Sequence, residues 1–77
     1  MHYQLDARRL LCPMPVIRAQ NRVEELQPGD VLEVFCTDPG AMNDIPAWAR
    51  INGHKILDSR MDDDEVIVII EVGEPEE

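Results

Sequence analysis

No apolar run in this sequence approaches the roughly 18 residues that a membrane-spanning helix needs, and no basic segment followed by an apolar stretch opens the chain. These absences point to an unprocessed cytoplasmic protein with no membrane role. At 77 residues there is no room for a second hydrophobic core, so residues 1–77 are expected to form one small domain. Basic residues are scarce: 7 Lys and Arg stand against 16 Asp and Glu, a net charge of -9. Nucleic-acid binding requires a dense basic stripe, so no direct nucleic-acid contact is expected and a protein partner is the better reading. Two cysteines 24 positions apart make no Cys-x-x-Cys pair, and with two isolated histidines they form no metal-ligand array. A structural disulfide is not expected in a reducing compartment.

What basic charge there is lies in one place. Residues 1–23 hold Arg8, Arg9, Arg18 and Arg22 against Asp6 alone, whereas residues 24–77 hold three basic and fifteen acidic groups. Cys12 falls inside the basic segment.

Periodicity predicts the order β-α-β-α-β-β. A first strand alternates over residues 2–6, and Val16, Ala19, Val23 and Leu26 recur at helical spacing from Pro13 onward until Pro28-Gly29 ends the helix. A strand over residues 31–36 puts Leu32, Val34 and Cys36 on one face, making Cys36 a core residue. The second helix is expected to open at Asp44, its N-cap, with Pro46 tolerated in the first turn, and to close at Asn52-Gly53. Residues 54–60 read as a mixed-polarity edge strand; an acidic turn at Asp62-Asp63-Asp64 leads to five β-branched residues, 66–70, typical of an interior strand. The fold class is therefore α+β, a two-layer sandwich with both helices on one face of a four-stranded sheet.

The stretch Leu10-Leu11-Cys12-Pro13-Met14-Pro15 carries the chemistry. With Pro13 at the first helical position, Cys12 becomes the N-cap. A thiolate there faces the positive end of the helix, an environment that lowers a cysteine pKa from about 8.5 into roughly the 3.5–7.5 range. Pro15 removes a further donor and stiffens the mount, while Arg8 or Arg9 can support the anion. Neither a resolving thiol nor a base with its orienting partner stands out. One thiolate suffices for one kind of chemistry: taking a sulfane sulfur as a persulfide and surrendering it, with no metal or cofactor. On local pattern alone, a small residue that merely starts a helix is the competing reading.

The spaced elements Leu5-Asp6, Cys12-Pro13-x-Pro15, Asp38-Pro39, Asp44-Ile45-Pro46 and Gly53-His54 resemble the TusA/SirA-like family of small sulfurtransferases. The resemblance implies a mixed sheet of order 1-2-4-3. It also implies that Cys12 receives sulfur from a cysteine desulfurase or rhodanese-like donor protein and passes it to a downstream acceptor protein, toward tRNA thiolation, molybdenum cofactor assembly or sulfur oxidation. Arg9 departs from the family pattern, which has glycine there; if the position needs positive φ, the arginine is strained by order 1 kcal/mol or more.

Of the remaining residues, Asp38 can shape the site or simply make a turn. Trp48 and His54 read as structural, and the acidic tail 74–77 as solvated charge. The alternative to sulfur relay is a non-catalytic regulatory or interaction module that docks through the basic Cys12 end.

Overall fold

The computed structural model describes residues 2–11 and 13–73. Cys12 and the acidic tail 74–77 lie outside the described residues, so the expectations placed on them are not addressed by the geometry below. The elements run β1 (His2–Ala7), α1 (Met14–Glu24), β2 (Val31–Cys36), α2 (Ala41–Ile51), β3 (Lys55–Asp62) and β4 (Glu65–Glu71). The sheet order is β1-β2-β4-β3, with β1 parallel to β2 and β4 antiparallel to both its neighbours. The α+β architecture, the element order and the sheet order are those expected.

Alternation along the strands decides which face is covered. Leu32, Val34 and Cys36 of β2 and Val66, Val68 and Ile70 of β4 are all buried, and Ala19, Val23, Ile45 and Ala41 close over them from the helices. The strand residues between them face the other side, where Glu33 accepts a hydrogen bond from Gln4 at 3.1 Å. β4 lies in the interior because its β-branched run is buried on both sides: Ile67, on the open face, is buried as well. β3 takes an edge, where a register shift between Ile56 and Asp58 and a row of charged residues make it a poor template for another strand.

Both helix starts differ from expectation. α1 begins at Met14 with Pro13 as its N-cap, one residue later than predicted, so the cap role assigned to Cys12 falls on Pro13. The cause is a turn in which the Met14 N–H donates to the Leu11 carbonyl at 2.8 Å, which satisfies the first helical amide before the helix proper begins. α2 begins at Ala41 with Gly40 as N-cap, so Asp44 sits in the first turn and is not the cap. Here the Asp38 carboxylate accepts the Gly40 N–H at 3.0 Å and its carbonyl accepts the Ala41 N–H at 3.0 Å, turning the chain into the helix early. Asp44 still favours the helix electrostatically from that position. Pro46 is consequently inside the helix rather than in its first turn, where it removes one backbone hydrogen bond but is buried in the core.

At the far end of the sheet His54 fixes the chain after β4. Its Nδ1 accepts the Gly73 N–H at 2.9 Å, and its ring lies 5.3 Å from that of Trp48. Burial holds the His54 pKa below its ordinary value. The sign follows from that direction: the contribution is complete above the unfolded-state pKa near 6.5 and is lost as pH falls through it toward the lower folded value. Chemical unfolding at pH 7 and pH 5.5 should therefore show a larger drop in stability for the native protein than for His54→Asn, whose amide oxygen accepts without titrating. Identical drops would contradict this.

Candidate functional site

Because β1 and β2 are parallel, the loops that follow them leave the same edge of the sheet, and the antiparallel β4 brings the β3–β4 turn to that edge as well. Ala7, Cys36, Val66 and Met61 form the last paired row across the four strands. Just beyond this row lie residues 8–13, residues 37–40 and the turn at Asp63-Asp64. The chain thus gathers Pro13, Pro15, Arg8, Arg9 and Asp38 around one end of the molecule, and position 12 lies between two of them in sequence.

Each of these residues has a distinct local role. Pro15 is fully buried and occupies the second helical position, so it wedges the helix start against the core, while Pro13 is exposed. Neither proline has an amide to offer, the Met14 amide is taken by Leu11, and the Ile17 amide goes to the Pro13 carbonyl at 3.1 Å. Open donors at this helix start are therefore few, and the helix dipole contributes to the field at its N-terminus together with nearby cations. Of those cations, Arg8 is engaged on the open face: its Nε lies 3.3 Å from Asp6 and 3.7 Å from Glu65, and its guanidinium sits 5.3 Å from the Phe35 ring centre. Asp38 spends its carboxylate on opening α2.

Arg9 resolves the conditional raised by the sequence. Its φ is +66°, in the left-handed region. Its N–H donates to Thr37 Oγ1 at 2.8 Å, which ties the loop before α1 to the loop before α2 and holds the conformation in place. Its side chain is exposed. Left-handed backbone costs an L-residue roughly 1–2 kcal/mol, partly offset in any comparison with glycine by the greater freedom of an unfolded glycine. Arg9→Gly is accordingly expected to stabilise the fold by about 0.5–1 kcal/mol in urea unfolding. No gain, or a loss, would show that the strain is relieved elsewhere.

Three features of this end were not singled out from sequence. Thr37 anchors Arg9, Glu65 pairs with Arg8, and a shallow depression of about 390 Å³ is lined by Thr37, Asp62, Asp63, Asp64, Glu65 and Ile67. The acidic run was visible in the sequence, but its position opposite the arginines depends on the sheet order. Cys36 lies beneath the same edge and is fully buried, and its thiol pKa is pushed up to about 11, chiefly by burial and secondarily by the Asp38 charge. It is a core thiol, as its place on the β2 pattern predicts.

The family follows from comparison. The chain matches the sequence model described as sulfurtransferase TusA over residues 3–72. It belongs to the TusA sulfurtransferase family. YrkI of Bacillus subtilis, named as a candidate sulfur carrier protein, is 48% identical over 54 residues, which covers 70% of this chain and 72% of that protein. The sulfur carrier protein TusA of Allochromatium vinosum is 39% identical over 57 residues, 74% of this chain and 75% of the relative. The crystal structure of a SirA-like protein from Desulfitobacterium hafniense superposes with a TM-score of 0.80 at 27% identity, covering 94% of this chain and 99% of that one. TusA membership carries with it a role in sulfur relay. No helix among the described residues is long and apolar enough to cross a membrane.

Proposed function

We propose that Cys12 is the sulfur-carrying residue, and that this protein accepts sulfane sulfur from a cysteine desulfurase or rhodanese-like donor in the cytoplasm and delivers it to a downstream acceptor protein. The observation that carries this reading is membership of the TusA family over residues 3–72, joined to a sequence in which Cys12 directly precedes Pro13, the N-cap of α1, and falls in the only basic segment. Cys36 is a poor rival, since its thiol is buried and protonated at neutral pH.

The step balances without a cofactor. The Cys12 thiolate attacks the outer sulfur of the donor persulfide; a new S–S bond forms, the donor's own S–S bond breaks, and the donor leaves as a thiolate. The transferred sulfur keeps its oxidation state, and so do the two proteins taken together. Delivery repeats the exchange: a nucleophile of the acceptor attacks the outer sulfur of Cys12–S–SH and Cys12 departs as the thiolate. A depressed pKa assists both halves, because it raises the thiolate fraction on attack and makes Cys12 the better leaving group on delivery. Acceptors serving tRNA thiolation, molybdenum cofactor assembly and sulfur oxidation all suit this chemistry.

Incubation with a cysteine desulfurase and cysteine, or with a rhodanese and thiosulfate, followed by intact mass measurement, tests the proposal. The wild type should gain one sulfur atom and Cys12→Ser none. An adduct of equal size on Cys12→Ser, or no adduct on the wild type with either donor, would defeat it.

A further inference from the structure

The loops that leave β1 and β2 are tied to each other just beyond the last rung of the sheet. Ala7 and Cys36 are the final pair of the parallel ladder. Past them the Arg8 N–H donates to the Asp6 carboxylate at 3.0 Å, and the Arg9 N–H donates to Thr37 Oγ1 at 2.8 Å. A side-chain oxygen thus continues a ladder that the backbone has ended. That oxygen is firmly mounted. Thr37 is β-branched, which restricts its χ1. Cys36 before it is fully buried, and Asp38 after it is fixed by the turn that opens α2, its carboxylate on the Gly40 N–H and its carbonyl on the Ala41 N–H. On the other side of Arg9, Leu10 packs against the core and the Leu11 carbonyl accepts the Met14 N–H at 2.8 Å. The segment that leads to position 12 is therefore clamped at three consecutive residues, and the first clamp is a single exposed hydrogen bond.

Burial does not demand that bond. Arg9 and Thr37 are both exposed, so water can satisfy the Arg9 amide. Arg9 nonetheless keeps φ at +66°, a conformation that an arginine leaves when nothing holds it. Strain retained at an exposed residue of a loop that leads to a chemical group serves the site rather than the core. We propose that Thr37 is a positioning residue for sulfur relay: by holding the Arg9 amide, its hydroxyl oxygen keeps residues 8–11 in the arrangement that presents Cys12 for exchange with Arg8 and Arg9 beside it. The inference rests on the assignment of Cys12 as the sulfur carrier. Without the acceptor oxygen, Arg9 relaxes to an ordinary negative φ and the loop turns with it. The thiolate then loses part of its cationic surroundings, and the exchange loses the fixed line of attack that transfer between two proteins needs.

The test compares wild type with Thr37→Val, which keeps the β-branched shape and removes the acceptor, and with Thr37→Ser, which supplies the acceptor again. Sulfur loading is followed from a cysteine desulfurase with cysteine and from a rhodanese with thiosulfate. For the donor that loads wild type, the initial rate should fall by about tenfold or more in Thr37→Val. The pH midpoint of Cys12 alkylation by iodoacetamide should move up by about half a pH unit or more toward the ordinary 8.5. Thr37→Ser should bring both back to near wild type. Cys36, buried while the fold holds, reports by its lack of labelling that each variant is folded, and Thr37→Ala replaces a valine variant that is not. The role of Thr37 is overturned by a wild-type rate or an unmoved midpoint in the folded variant, or by a serine variant as slow as the valine one. Loss of Cys36 protection in both the valine and alanine variants also overturns it, since Thr37 would then serve the fold alone. No adduct on wild type with either donor, or an equal adduct on Cys12→Ser, overturns instead the assignment of Cys12, and this inference with it.

Discussion

Iodoacetamide applied to the folded protein near pH 7 is expected to label Cys12 and to leave Cys36 unlabelled until the chain is unfolded. Cys36 fills the last paired row of the sheet between Ala7 and Val66 and has no exposed surface. With its pKa pushed up to about 11, only about one Cys36 thiol in ten thousand is ionised at neutral pH even before access is considered. Cys12 sits by sequence at a helix start and near Arg8 and Arg9, surroundings that favour the thiolate. The difference in labelling rate should exceed about a hundredfold and vanish in denaturant. Comparable labelling of both cysteines in the folded protein would remove the distinction between a working thiol and a core thiol.

Gly73→Ala is expected to destabilise the fold by about 3 kcal/mol, a large share of the stability available to so small a core. A methyl group at Gly73 would fall on the carbonyl oxygen of Gly53, with the carbonyl carbon 2.9 Å away. Both are backbone atoms and cannot swing aside as a side chain would. The surrounding chain is also pinned: Val72 donates to the Asp30 carbonyl at 2.8 Å and accepts from the Gly29 N–H at 2.9 Å, and Gly73 donates to His54. Relief of the clash must break one of these or pull Val72 out of the core. Urea unfolding should show the loss as a lower midpoint with an unchanged slope. A change below about 0.5 kcal/mol, the range of an ordinary surface substitution, would mean that the crossing at Gly53 is looser than described.

The parts of this fold legible in the sequence are those set by burial. Alternation marked Leu32, Val34 and Cys36, helical spacing marked Ala19 and Val23, and the run at 66–70 marked the interior strand, because each pattern records which side of an element meets the core. Helix starts were legible only to within a few residues. They depend on which carbonyl or carboxylate captures the first amides: Leu11 for α1 and Asp38 for α2, neither of which stands where a cap residue is sought. Asp44 resembled a cap because it precedes an Ile-Pro pair, but the turn made by Asp38, Pro39 and Gly40 had already committed the chain to helix. At the site, the segment containing Cys12 and the arginine cluster were visible in the sequence. The division of labour among the arginines was not, since it turns on Glu65, which the sheet order brings to Arg8 from 57 positions away, and Thr37, which it brings to Arg9 from 28.

The claim on which the rest depends is that Cys12 works as a thiolate. Its alkylation rate as a function of pH, measured on the Cys36→Ala protein so that a single thiol is observed, tests this most directly. A midpoint well below the ordinary cysteine value of about 8.5 is expected, moving upward as added salt screens the cations that the sequence sets close to Cys12. A midpoint at or above 8.5 would contradict it.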